Sequence, residues 1–232
     1  KQGVIITSEM ETFFDLCPCR IYGVTGSDGK TTTTTLISEM LAKTGRRVYK
    51  GGNIGKALLP LIETIREEDA AVVELSSFQL ISMRRSPDVA VITNISPNHL
   101  DVHGTMEEYI GCKVNLIAHQ NAYSKTVLNL DNAQTAALAE QVRGRLLWFT
   151  RQQKPGRGTF LDAEGWLCYA EAGKTQRIVR AEDIRIPGLH NVENYLAAIA
   201  AVWGGVPAET IVEVAKTFGG VEQSGSPYSQ CT

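Results

Sequence analysis

The sequence predicts an α/β protein: a mostly parallel sheet flanked by helices, built around a P-loop-like phosphate turn, with a small antiparallel β patch at about residues 159–186. Three observations carry that expectation. A short apolar run, Ile21 to Val24, leads through a turn holding Gly26 and Gly29 into a helix that opens at Lys30 or Thr31. Apolar runs of strand length then alternate with segments of helical period, as in a parallel sheet covered on both faces. Beyond Thr150 the texture changes to short strands separated by turns.

Taken in order, Val4-Ile5-Ile6 is a short strand, followed by an acidic segment ending in Phe13-Phe14, with Pro18 breaking any helix there. After the glycine turn, Leu36, Ile37, Met40 and Leu41 recur at helical spacing, and Gly45 closes that helix. Val48-Tyr49 is a short strand entering a second glycine-rich turn, Gly51-Gly52-Asn53-Ile54-Gly55, and Ala57 to Arg66 is expected to be helical. Ala70 to Leu75 and Asp88 to Asn94 are continuous strands; Thr126 to Leu130 and Arg145 to Phe149 repeat the pattern more weakly. Helices over Glu107–Ala118 and Ala133–Val142 lie between them. Thr159–Leu161, Trp166–Tyr169, Arg177–Val179 and Ile184–Ile186 make the antiparallel patch, expected as an insertion in one domain. Two helices follow, Val192–Trp203 and Pro207–Phe218, with Pro207 suited to a first turn. Residues 223–232 are Ser/Gly/Pro-rich without periodicity and are expected to be a disordered or appended tail.

Composition narrows the function. The chain has 232 residues, 43% hydrophobic and 21% charged, enough to bury a core without disulfides. A formal charge of −2 gives no broad basic field, so neither nucleic acid nor a membrane surface is an expected partner. No apolar run reaches membrane-span length and no signal peptide is evident, so a cytoplasmic location is expected. The five cysteines, Cys17, Cys19, Cys112, Cys168 and Cys231, lack zinc-ligand spacing and are expected as free thiols. The first residue is Lys1, so a fragment is expected.

The chemistry concentrates in the glycine turn. Gly26 and Gly29 let the backbone aim several N–H groups into one concavity, and the following helix adds its unpaired amides and positive dipole end. Lys30 supplies a cation for phosphate and Thr31 a hydroxyl for magnesium. The common phosphate-loop pattern wants a glycine where Val24 stands, so the competing reading is a strand-to-helix turn with a solvated lysine. Glu74 ends a buried strand and is either a magnesium carboxylate or a solvated acidic residue. His99 is a metal ligand, a substrate contact or a simple cap; Lys113, on the next helix, would by itself be solvated. Asn191 suits a helix N-cap or a nucleotide contact equally.

Four stretches in register resemble the Mur ligases of bacterial peptidoglycan synthesis: Thr25-Gly-Ser-Asp-Gly-Lys-Thr31, Glu74-Leu-Ser-Ser-Phe-Gln-Leu80, Asn94-Ile-Ser-Pro-Asn-His-Leu-Asp101, and His190-Asn191 with Asn194. The Gly51–Gly55 turn and the residues after Glu74 are most similar to the branch that adds D-glutamate. The resemblance implies that residues 17–222 are a central ATP-binding domain, with residues 1–16 the remnant of a preceding domain and its linker. It implies ATP held by Gly26, Ser27, Asp28, Gly29, Lys30, Thr31 and Thr32, with Asn191 and Asn194 facing the nucleotide. It implies up to two Mg2+ sites, one on Thr31 and Glu74 and one on His99 with a carbamylated Lys113. Asn53, Ser76 and His99 would touch the muramyl substrate, and Lys30, Glu74, His99 and Lys113 would carry catalysis. The implied reaction is ATP-driven amide formation from UDP-N-acetylmuramoyl-L-alanine and D-glutamate by a monomer. After Gly219–Glu222 the family pattern has His-Arg where this chain has Gln223-Ser224, and a C-terminal amino-acid-binding domain is missing, so the chain by itself is expected not to ligate. Alternatives are a non-catalytic nucleotide-binding module and a related amide ligase of the folate-glutamylating type.

Overall fold

The structure, a computed structural model, describes residues 7–97 and 105–221. β1 (Arg20–Thr25) lies inside a nine-stranded sheet between two parallel neighbours, β3 (Ala70–Glu74) and β4 (Val89–Ile92). β2 (Val48–Gly52) flanks β3. On the other side follow β5 (Lys125–Asn129), β6 (Arg145–Thr150), β7 (Arg157–Leu161), β8 (Trp166–Glu171) and β9 (Lys174–Arg180). The chain moves from β1 toward the β2 edge and, after β3, crosses to β4, so the order reverses beside β1. Ligands of open α/β sheets bind at such a reversal, outside the carboxyl ends of the strands. β1 delivers the glycine turn to that place, and the register Val24↔Glu74 puts Glu74 beside it.

The continuous apolar runs are explained by two cores, one on each face. Successive strand side chains point to opposite sides. Thus Tyr22, Val24, Val72, Val89, Val91 and Val127 face α2 (Lys30–Ala42), α6 (Leu189–Val202) and α7 (Ala208–Thr217). Ile21, Ala71, Val73, Ala90, Ile92 and Leu128 face α1 (Glu9–Leu16), α3 (Ser77–Leu80) and α4 (Met106–Ala118). α5 (Ala133–Ala137) lies between β5 and β6 in the chain. Full burial of a valine or leucine is worth about 1.5–3 kcal/mol, so polar substitution on either face is costly. The alanine run of α6 (Ala197, Ala198, Ala200, Ala201) is fully buried, and this helix packs on α2, carrying Asn194 to the glycine turn.

The sheet bears out the predicted fold class, with different edges. β7 pairs parallel with β6 on one side and antiparallel with β8 on the other, so the antiparallel patch continues the main sheet rather than forming a separate insertion. Ile184–Ile186 is not a strand: a 3-10 turn at Ala181–Asp183 precedes it, and Arg185 is tied through its N–H to Ala215 O. Ala57–Arg66 is not an α-helix but a 3-10 segment, Leu59–Thr64, with Pro60 in its first turn and Tyr49 Oη bonded to Thr64 O. Ala133–Val142 divides into α5 and a 3-10 turn, Leu138–Gln141. Pro207 is the N-cap of α7 rather than a residue inside its first turn. The acidic segment before Pro18 forms α1, capped by Ser8. The expected strand at Val4–Ile6 lies outside the described residues.

Candidate functional site

Two glycines shape the turn. Gly26 has φ 152°, and a Cβ there would overlap Thr93 Oγ1 and press on the Asn94 backbone. Gly29 has φ 77° and is the N-cap of α2; a Cβ there would overlap Asn194 Oδ1. Only glycine meets both the left-handed backbone and the close approach. Helix geometry leaves the N–H groups of Lys30, Thr31 and Thr32 without intrahelical acceptors, at the positive end of the α2 dipole. Thr31 to Thr35 form five β-branched residues in succession, each about 0.5 kcal/mol poorer than alanine as a helix former. Several hydroxyls of that run are used at the site: Thr31 Oγ1 donates to Glu74 Oε2 at 2.8 Å and Thr33 Oγ1 to Asn194 Oδ1 at 3.3 Å.

Glu74, 1% exposed, also accepts from Asn53 Nδ2 at 3.0 Å. Thr31 and Glu74, expected together at a metal, are therefore in contact, and Asn53, expected at the substrate, joins the same carboxylate. The oxygen donors, a carboxylate and a hydroxyl, suit a hard divalent ion. Lys30 folds back and donates to Ser27 O at 2.8 Å. Lys113 is fully buried rather than solvated: its Nζ donates to Gly26 O at 3.0 Å and lies 4.4 Å from the centroid of the Tyr109 ring. Burial, with the Lys30 charge nearby, holds its pKa down at about 7. A cavity of about 180 Å³ opens here, lined by Gly26, Ser27, Lys30, Asn53, Ser76, Ser77, Phe78, Tyr109 and Lys113. Ser76 lines it while also capping α3, whose Gln79 side chain closes a capping box with it.

The loop after β4 clamps the turn from the far side. Asn94 Oδ1 accepts from Asp28 N–H at 2.9 Å, Asn94 Nδ2 donates to Asp28 O at 3.2 Å, and Thr93 Oγ1 donates to the same carbonyl at 2.6 Å. Ser27 Oγ donates to Ser96 O at 3.1 Å, receives Ser96 N–H at 3.0 Å, and lies 3.2 Å from Tyr109 Oη. These clamp residues were not assigned roles from sequence. Tyr109 lay open to notice, since it precedes Lys113 by four residues and so shares its helix face. Asn191 is not an N-cap: Gly188 caps α6, and Asn191 instead donates to Pro187 O at 2.6 Å and accepts from Asn194 Nδ2 at 3.3 Å. His99 and residues 222–224 lie outside the described residues. Among the described residues, no group of three or more His, Cys, Asp or Glu side chains is arranged to hold a metal.

This arrangement can bind a polyphosphate on backbone amides and lysine, with a divalent ion beside it. Residues 24–202 match the model of the Mur ligase middle domain. The chain is 50% identical over 222 residues to the UDP-N-acetylmuramoylalanine–D-glutamate ligase of Acetivibrio thermocellus, covering 96% of this chain and 47% of the relative. It is 46% identical over 220 residues to the enzyme of the same name from Ruminiclostridium cellulolyticum, covering 95% and 47%. Among solved structures it is similar to a UDP-N-acetylmuramoyl-L-alanyl-D-glutamate–2,6-diaminopimelate ligase (TM-score 0.73, 22% identity, 95% of this chain and 54% of that one). It is also similar to MurF from Acinetobacter baumannii (TM-score 0.70, 19% identity, 94% and 52%), and at these identities the likeness concerns the fold. The chain thus spans about half the length of the relatives it matches.

Proposed function

The chain belongs to the Mur ligase family through its middle domain, and on that footing we propose that it is the ATP-binding body of a ligase joining D-glutamate to UDP-N-acetylmuramoyl-L-alanine. In this assignment residues 17–222 are that body and residues 1–16 the remnant of a preceding domain and its linker, of which α1 packs into the body's core through Phe13 and Phe14. The observation that carries the reading is the Thr31–Glu74 contact of 2.8 Å at the mouth of the glycine turn. A buried carboxylate beside a phosphate-binding helix terminus is electrostatically sensible when a cation joins them. The relatives named for D-glutamate ligation support the choice of amino acid.

In this reading the amides from Gly26 to Thr32 and the Lys30 ammonium bind the β- and γ-phosphates of ATP. Thr31 and Glu74 would hold Mg2+, which when bound neutralises charge on the phosphate oxygens. The substrate carboxylate attacks the γ-phosphate to give an acyl phosphate, and the amine of D-glutamate displaces phosphate. The chain's own contribution is position and charge: Lys30, Lys113, Asn53 and Ser76 line the cavity, and the hydrogen-bonded pair Asn191 and Asn194 is assigned to the nucleotide. A pKa of about 7 leaves the Lys113 amine partly neutral at physiological pH, the form that attacks CO2. As a carbamate, with His99, it would support a second Mg2+. The free amine donates to Gly26 O, and a carbamate nitrogen keeps one N–H able to make the same bond. We further propose a cytoplasmic monomer; no helix among the described residues is long and apolar enough to cross a membrane.

The test is titration of the chain with a fluorescent ATP analogue, with and without Mg2+, for wild type and Lys30→Ala. Saturable, Mg2+-stimulated binding weakened at least tenfold in the variant, about 1.4 kcal/mol, is expected. Equal binding by both overturns the phosphate-site assignment. D-glutamate-dependent phosphate release from the protein with its family's flanking domains separates a ligase from a nucleotide-binding module, and exchanging muramyl for folate substrates separates it from the folate-glutamylating type.

A further inference from the structure

We propose that Cys17 and Cys19 form a redox-modifiable dithiol, converted by a low-molecular-weight disulfide of the glutathione class into an intramolecular disulfide across Pro18. The pair occupies the joint between α1 and β1, away from the phosphate turn. Cys17 is the C-cap of α1, with its N–H donating to Phe13 O at 2.9 Å and an extended backbone (φ −68°, ψ 118°). Extended backbone places side chains two residues apart on one side of the chain. The two Sγ atoms stand 3.5 Å apart, about 1.5 Å beyond a disulfide bond length.

The two thiols are unequal. Cys17 is half-buried beside an exposed Pro18, whereas Cys19 is 5% exposed. The hydrogen bond shared by the two Sγ atoms holds the Cys17 thiol below the ordinary range, and the same bond together with burial raises Cys19. Cys17 is thus the entry thiol and Cys19 the resolving one. The Cys17 thiolate attacks one sulfur of the small disulfide, whose S–S bond breaks and releases one thiolate. Cys19 then loses its proton to solvent and attacks Cys17 Sγ, expelling the second thiolate. The protein pair is oxidised by two electrons and the small disulfide is reduced by two. Cys168 is no competitor, since it is fully buried and burial pushes its thiol up to about 12.

The experiment incubates the full chain with oxidised glutathione at neutral pH, alkylates with iodoacetamide, and reads peptide masses. The wild-type peptide spanning Cys17 and Cys19 should be two hydrogens lighter, unalkylated, and restored by dithiothreitol. Cys19→Ser should accumulate a stable glutathione adduct on Cys17, and Cys17→Ser should modify Cys19 at least about tenfold more slowly. The wild-type arm needs no substitution and so does not depend on how the variants fold. The proposal is overturned if both wild-type thiols remain alkylatable, or if the folded single variants take up adduct at equal rates.

Discussion

Replacing Lys113 with methionine should lift a pH-dependent penalty built into the site. The ammonium is buried against the Tyr109 ring and Gly26 O, and burial lowers its pKa from an ordinary 10.5 to about 7. Between those values the unfolded chain binds more protons than the folded one, so wild-type stability rises with pH across the window and the penalty is complete below it. The two pKa values give a penalty of about 4 kcal/mol near pH 7, falling to about 1.5 kcal/mol near pH 9.5. Methionine has no such term; it only forfeits the bond to Gly26 O, about 1 kcal/mol at any pH. Urea unfolding of both proteins in CO2-free buffer should therefore show the variant's advantage shrinking by about 3 kcal/mol between about pH 7 and about pH 9.5. Other titrating groups are common to both proteins and cancel. Adding bicarbonate near neutrality should shift the wild type alone. An advantage that does not change with pH would refute the buried-amine reasoning.

Glu74→Gln removes the charge that Thr31 and Asn53 surround while keeping the shape. The Mg2+ concentration needed for half-maximal ATP-analogue binding should rise at least about tenfold, and urea unfolding should show no loss of stability. Gly26→Ala places a methyl group on Thr93 Oγ1 at φ 152° and should cost about 2–4 kcal/mol in unfolding free energy, read from the urea midpoint. Asn94→Ala strips Asp28 of both side-chain contacts from that residue and should cost about 1–2 kcal/mol. It should also weaken ATP-analogue binding, because the turn is no longer held open.

The parallel half of the fold was legible because its strands are buried on both faces and so carry unbroken apolar runs, as Ala70 to Leu75 does. The same property hides sheet order, since nothing in such a run says which neighbour it will take. The partners of β7 show this: its segment resembles the short strands after it, yet one edge continues the parallel sheet. Local periodicity also misled where tertiary bonds decide the backbone. Leu59–Thr64 has helical composition, but Pro60 and the Tyr49 hydroxyl on Thr64 O hold it in a 3-10 turn.

The site divides along a similar line. Residues whose chemistry is local, the glycines, Lys30 and Thr31, announce themselves by spacing within one turn. Glu74 ends β3 and Asn53 follows β2, and what joins them to Thr31 is the pair of registers Val24↔Glu74 and Gly52↔Glu74, which is not visible in any single segment. The clamp is less visible still. Thr93 and Asn94 act through backbone groups of Asp28, so their work depends on where the turn's carbonyl and amide point, and that direction follows from the two left-handed glycines. Lys113 is the sharpest instance: on its own helix it is an ordinary lysine, and only the crossing of α4 beneath the turn buries it against Gly26 O and beside the charge of Lys30. The lowered pKa is thus a property of the packing, and substitutions that shift α4, such as truncation of the buried Leu116, should move it without touching the site.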